Sequence, residues 1–181
     1  MDMSLSAGRR RLGALTQRSG NLLGFLVCCG LMSYALFVQY GLHEDPCPLC
    51  ILQRVAVIAT GLVFLLAALH NPTRGGSRIY GLLILLTTAA GMAVAGRHMW
   101  VIAQPPGTVA ECGASLEYMM DVLPWHEVLG KVLSGSGECA KVTWRFLGLN
   151  MPTWVFMNLF ALAAWGLYVN VFLRPRRAAT F

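Results

Sequence analysis

Four long apolar runs constrain this chain more than any other feature: Asn21 to Tyr40, Ile51 to Leu69, Ile79 to Gly96 and, roughly, Thr153 to Leu173. A bilayer core of about 30 Å is crossed by a helix of roughly 20 apolar residues. Each run is long enough to span. Gly24, Gly30, Gly61, Gly81, Gly91 and Gly166 fall inside the runs, and small residues there let helix backbones approach closely. The expected fold is all-α, a single integral membrane domain built as a four-transmembrane-helix bundle. Composition agrees, since only 12% of the 181 residues are charged, against roughly 25% in an ordinary soluble domain.

The formal charge of +6 would also suit nucleic acid or an anionic surface, so the placement of the 14 Lys and Arg residues decides its meaning. Arg9, Arg10, Arg11 and Arg18 precede or open the first run, Arg74 and Arg78 link the second and third, and Arg174, Arg176 and Arg177 follow the fourth. Lys and Arg in short flanks mark the cytoplasmic side. Both termini and the link 70–78 are therefore expected in the cytoplasm, and loops 41–50 and 97–152 on the opposite, extracytoplasmic side. The first of these loops carries Glu44 and Asp45 with no Lys or Arg. Topology accounts for the charge, and no nucleic-acid partner is expected. A cleaved signal peptide is the competing reading of the start, with Ser33-Tyr34-Ala35 as a weak cleavage site; the run is longer than a usual signal core and reads as a retained helix.

Six cysteines are divided between these regions. Cys28 and Cys29 lie within the first run, where a thiol behaves as a small hydrophobe. Cys47, Cys50, Cys112 and Cys139 all fall in the two outer loops, where an oxidising compartment permits disulfides. The stretch CPLCILQR, Cys47 to Arg54, stands at the mouth of the second run. Its C-x-x-C spacing allows a short-range disulfide and occurs in thiol-disulfide enzymes. With a helix beginning near Cys50, both sulfurs sit by unpaired backbone N–H groups that favour a thiolate, and Pro48 suits a first turn. Arg54 follows Cys50 by one helical turn, so its fixed charge favours the thiolate further. Arg54 also has a plain reading as an interfacial anchor, although an ionisable residue in a span is a functional candidate.

Cys112 and Cys139 bracket a loop rich in turn formers, with Pro105, Pro106, Gly107 and Gly113 at one end and Ser134 to Gly137 at the other. Such segments suit cysteines that a partner must reach. Between them Trp125, Val128, Leu129, Val132 and Leu133 recur at helical spacing opposite His126, Glu127 and Lys131, a short amphipathic helix that lies on the membrane or packs on the protein. A four-cysteine zinc site would want a second close pair, which Cys112 and Cys139 do not form. Structural staples remain an alternative, giving a non-catalytic membrane scaffold. Two disulfides in series, one exposed and one at the bilayer edge, suggest a path for dithiol electrons that ends on something dissolved in lipid. A quinone meets that description.

CPLCILQR after a first span, the pair Cys112 and Cys139 in the second outer loop, and ECAKVTWRFLGLNMPTWVF entering the fourth span together resemble the disulfide bond formation protein B (DsbB) family of bacterial inner-membrane thiol:quinone oxidoreductases. The resemblance runs from about Leu22 to Leu173. It implies a four-helix bundle with cytoplasmic ends, a periplasmic thioredoxin-like dithiol oxidase of the DsbA type as partner, and ubiquinone or menaquinone as acceptor. On that pattern Cys112 is attacked by the partner's thiolate, Cys139 is released and exchanges with Cys47, and Cys50 engages the quinone with Arg54 in support. His98 matches a histidine lining the same pocket, whereas Arg97 reads as snorkelling outward. Gln53 stands where some relatives carry an acid and has no assigned role. A paralogue serving a dedicated substrate oxidase fits the same residues.

Overall fold

A computed structural model of the chain describes residues 16–43, 46–105, 120–134, 139 and 145–173. Cys112, Pro106, Gly107, Gly113, Gly135 to Gly137, Glu44, Asp45, Arg9, Arg10, Arg11, Arg174, Arg176 and Arg177 lie outside the described residues.

Four helices are long and apolar enough to cross a membrane. The first, α1 (Gln17–Gly41), opens on a capping box: Thr16 Oγ1 accepts from the Ser19 N–H at 3.1 Å and Ser19 Oγ accepts from the Thr16 N–H at 2.9 Å, so two orphan donors of the first turn are satisfied. Helix α2 (Pro48–His70) ends where Asn71 takes a left-handed conformation, φ 40° and ψ 57°. Asn is one of the few residues that adopts it readily, and Pro72 then prevents continuation. Helix α3 (Arg74–Ile102) is longer at both ends than its apolar run. It begins inside the expected link 70–78 and extends through Arg97 and His98 into the expected loop 97–152, because a helix that leaves the apolar stretch keeps its own backbone hydrogen bonds until packing or a turn stops it.

In the long connection lies the expected short helix, α4 (Trp125–Ser134). It is followed by a hairpin that the sequence reading did not anticipate, β1 (Arg145–Phe146) and β2 (Leu149–Asn150), antiparallel with Arg145 opposite Asn150. Its two-residue turn has positive φ at Leu147 and Gly148, 51° and 79°, as the tight hairpin turn requires. The last span is α5 (Met151–Leu167), with Pro152 in its first turn, and it runs on as a π-helical turn, Tyr168–Phe172.

Short links make antiparallel neighbours: α1 lies on α2, α2 on α3 and α3 on α5. Phe64 is the centre of the packing, fully buried with Cys28, Val57, Ile84, Leu159 and Leu162 around it. Cys28 therefore serves as a small hydrophobe. Gly24 and Gly166 face Phe64 from α1 and α5; a methyl group at Gly24 would stand 2.7 Å from the ring and one at Gly166 2.6 Å from Ile84. Only glycine lets the helices close at these two points.

At the end of the bundle away from Cys47, polar side chains replace apolar ones. Asn21 and Asn170 exchange amide hydrogen bonds, Nδ2 of each donating to Oδ1 of the other at 3.1 and 2.9 Å. Gln17 donates to Ser77 Oγ at 2.8 Å, and Ser77 donates in turn to the Asn170 carbonyl. The side chain of Asn170 also donates to the Gly166 carbonyl at 2.9 Å, and the backbone widens there into the π turn. All four residues are buried. In lipid such bonds join helices because the alternative is an unpaired polar group in hydrocarbon. Asn170→Leu strands the amide of Asn21 and is expected to lower stability by about 1–3 kcal/mol. Thermal unfolding in detergent checks this, and the molecules that remain folded should keep the arrangement of Cys47 and Cys50, which lie at the other end of the bundle.

Candidate functional site

The site is built at the start of α2. Pro48 occupies the first helical turn, so the helix begins two residues before Cys50 and Cys47 becomes its N-cap. The Cys47 sulfur takes the place that a Ser or Asp oxygen usually fills, accepting from the Cys50 N–H at 3.4 Å. That contact turns the two sulfurs toward each other, 3.2 Å apart. A disulfide needs about 2.05 Å, a movement of roughly 1.2 Å. Both residues are half-buried, so the pair is neither sealed in the core nor standing free.

His98 reaches the same point from α3. Its Nε2 lies 3.8 Å from Cys47 Sγ and its Nδ1 4.0 Å from Cys50 Sγ. The sulfur and nitrogen atoms of the three residues all fall within 4.8 Å of one another. Two sulfurs bound to one tetrahedral zinc stand about 3.8 Å apart, wider than the spacing seen here. The arrangement suits sulfurs that bond each other.

Cys139 joins from the segment after α4. It is 1% exposed and forms a second apolar cluster with Leu49, Val101, Val128 and Val132, against which Cys47, Leu52, Val94 and Leu123 pack. Its carbonyl oxygen lies 3.1 Å from His98 Nε2. Three of the four expected redox cysteines are thus gathered around one histidine; Cys112 lies outside the described residues. Helix α4 reaches this cluster by packing on the protein: Val128 and Val132, one turn apart, are buried, while Trp125, at the start of the same stripe, is 80% exposed. Arg97, expected to snorkel outward, donates through Nε to the Leu133 carbonyl at 2.9 Å, its guanidinium 4.0 Å over the Trp100 ring. A carbonyl at the end of α4 has few intrahelical donors left, and Arg97 supplies one.

Arg54 is half-buried one turn below Cys50. Its hydrogen bonds run to α1, from Nη1 to Gln39 Oε1 at 2.5 Å and from Nη2 to the Ala35 carbonyl at 3.2 Å. The guanidinium is therefore held at the α1–α2 seam near the first turn of α2.

Two participants were not assigned from the sequence. Gln39 is the polar residue near the end of the first apolar run, and its position there was the available signal. Gln53 lies on the same face of α2 as Cys50, three residues on, and its amide nitrogen is 3.1 Å from His98 Nδ1. The spacing marked it, but only the fold shows its partner.

Comparison with known proteins gives a consistent result. The family model described as "Disulfide bond formation protein DsbB" matches residues 17–169. A disulfide bond formation protein B of Marinobacter nauticus is 48% identical over 147 residues, 81% of this chain and 88% of the relative. Those of Chromobacterium violaceum and Xanthomonas campestris pv. campestris are 46% and 45% identical, covering 86% and 84% of this chain and 93% and 90% of the relatives.

Proposed function

The chain belongs to the DsbB family of disulfide bond formation proteins and is a multi-pass membrane oxidoreductase that forms disulfides; on that premise we propose that it reoxidises a periplasmic thioredoxin-like dithiol oxidase of the DsbA type and passes the electrons to a membrane quinone. The observation that carries the reading is the meeting of Cys47, Cys50 and Cys139 around His98 at the start of a membrane helix. An inert staple would not need three cysteines and a histidine within reach of one another.

Electrons enter at the Cys112–Cys139 pair. The partner's thiolate attacks Cys112, breaking the disulfide and releasing Cys139 as a thiolate, and the partner's second thiol then displaces Cys112 and leaves as an oxidised partner. Cys139 attacks Cys47, so that Cys50 is the leaving thiolate. The N-terminal position of Cys47 and Cys50 on α2 offers backbone N–H groups to whichever sulfur carries the charge. Closure of Cys139 back onto Cys112 leaves Cys47 and Cys50 reduced, with two electrons and two protons to give up.

The residues suit a quinone as the acceptor. Cys50 is half-buried at the helix start, and Arg54 uses two guanidinium hydrogens on α1 and keeps others for carbonyl oxygens. Bound there, ubiquinone or menaquinone supplies the two-electron, two-proton sink. Cys50 and Arg54 would hold it, while His98 works on the thiols from the protein side. The orientation that this requires puts both termini in the cytoplasm and the cysteines on the outer face of the inner membrane.

Trapping tests the partner. In Cys139→Ala the lone Cys112 thiolate attacks the disulfide of the oxidised partner and releases one of the partner's sulfurs as a thiolate; acid quenching and alkylation before that thiolate expels Cys112 should recover the mixed disulfide as an adduct that reductant releases. Its identification by mass spectrometry as a thioredoxin-like protein is the expected result. Absence of such an adduct from Cys139→Ala, under conditions in which the wild-type chain turns over, would remove the partner assignment.

A further inference from the structure

Gln53 has no part in thiol exchange, yet it is 3% exposed and spends its side chain on the histidine between the two sulfurs. His98 is itself 4% exposed, so neither residue can turn to water for a hydrogen bond. The ring's two neighbours settle where its hydrogen lies. A backbone carbonyl only accepts, and the Cys139 oxygen is 3.1 Å from Nε2; that nitrogen carries the hydrogen and donates. An amide nitrogen only donates, and the Gln53 nitrogen is 3.1 Å from Nδ1; that nitrogen presents a lone pair. Of the two neutral tautomers, only Nε2–H gives the Cys139 carbonyl its donor, and the Gln53 amide turned nitrogen-first to Nδ1 is the orientation that matches it. Nδ1 is also the ring nitrogen that lies 4.0 Å from Cys50 Sγ.

We infer that Gln53 is a positioning residue: it holds His98 as the neutral Nε2–H tautomer and keeps the single Nδ1 lone pair free of hydrogen until the amide turns away and Cys50, 4.0 Å off, gives that nitrogen its thiol proton. The tautomer part stands on geometry alone, and the proton transfer rests on the oxidation of the Cys47–Cys50 dithiol proposed above. In that step the S–H bond of Cys50 breaks, its electron pair stays on sulfur, and an N–H bond forms at Nδ1. Thiolate and imidazolium are left as neighbours, so the site gains no net charge, which a buried position would resist.

An amide serves this task where other side chains of its size do not. Once Nδ1 has gained a hydrogen it must donate, and Gln53 can present its oxygen instead of its nitrogen by a half turn about its terminal torsion, which is soft. A carboxylate accepts only and would hold a hydrogen on Nδ1 at all times. A thioether or alkyl chain does neither well. The other titratable groups facing the ring are the thiols of Cys47 and Cys50 from α2 and of Cys139 from the segment after α4. Of the nearby arginines, Arg54 is turned to α1 and Arg97 to the end of α4.

The test uses the full chain in lipid nanodiscs with its four histidines labelled with nitrogen-15, His98 being assigned by the signal lost in His98→Gln. The expected wild-type spectrum at neutral pH shows one bare and one protonated nitrogen, with the hydrogen on Nε2. Gln53→Glu, nearly identical in shape, should protonate both nitrogens of His98 at the same pH. With the ring already occupied, oxidation of the prereduced chain by added ubiquinone should fall by on the order of tenfold to a hundredfold, the usual worth of a general base. Gln53→Met keeps the length without the amide, and should slow the same step while leaving the ring singly protonated. A wild-type hydrogen on Nδ1, or a His98 spectrum unchanged by Gln53→Glu, overturns the positioning role. Altered protonation with an unaltered oxidation rate overturns the base. Failure of the wild-type chain to be oxidised by any quinone defeats the proposed electron exit and leaves the tautomer to be decided by the spectra.

Discussion

Cys50→Ala should leave a chain that still takes electrons from the reduced partner but passes none to quinone. The remaining sulfur of the pair, Cys47, keeps its place as N-cap of α2 beside the cluster that holds Cys139, but as a lone thiol it offers Cys139 no disulfide to exchange with. What disappears is the sulfur 3.2 Å away with which Cys47 forms its disulfide. Members of a catalytic unit are not additive, and loss of one removes nearly all that the unit contributes. Steady-state quinone reduction should therefore fall by at least about three orders of magnitude, measured by the quinone absorbance with excess reduced partner. The Cys112–Cys139 disulfide should still form and still be reduced once by the partner. Cys29→Ala is the matching control, because that thiol is exposed on α1 away from the site; its turnover should stay within about twofold, as for a surface substitution. Normal turnover by Cys50→Ala would mean that electrons leave by another route.

The four spans and the loop helix were legible because each depends on a pattern that neighbouring residues create among themselves. An apolar run long enough for a bilayer has few other uses, and Val128 with Val132 marks a buried helical stripe wherever the helix comes to rest. The capping geometry of the thiol pair was legible to within two residues: Pro48 moved the helix start forward and made Cys47 the cap. The contacts between segments could not be read in this way. Gln53 and His98 are 45 residues apart, and Asn21 and Asn170 are 149. A glutamine in an apolar helix shows that a partner is needed, and only packing chooses which one. Arg97 illustrates the same limit, since its place at the end of the apolar run does not foretell the Leu133 carbonyl that α4 brings to it. The extension of α3 past its apolar run carries His98 to the sulfurs, and hydropathy alone ends that helix too soon.

Arg54→Met separates the two tasks of that residue. The substitution removes a charge at the membrane edge and two hydrogen bonds to α1, leaving Gln39 Oε1 and the Ala35 carbonyl to find other donors. Unpaired polar groups at a half-buried seam cost about 1–3 kcal/mol, so a lowered thermal midpoint is expected whatever the redox role. The functional consequence is distinct. If the guanidinium supplies donors and charge to the quinone, its loss should raise the quinone KM by roughly tenfold, the worth of one charged hydrogen bond, and slow the final oxidation of the Cys47–Cys50 pair. The first exchange between the partner and Cys112 makes no use of Arg54 and should slow far less. Arg54→Lys refines the result: an ammonium restores the charge but cannot span Gln39, Ala35 and a ligand together, since its donors radiate from one atom and lack the planar fork. A lysine that recovers the exchange rate and only part of the quinone affinity points to geometry as well as charge. An Arg54→Met chain with lowered stability and an unchanged quinone KM and rate would instead identify Arg54 as a strap between α1 and α2, and the electron exit would then have to be carried by Cys50 without it.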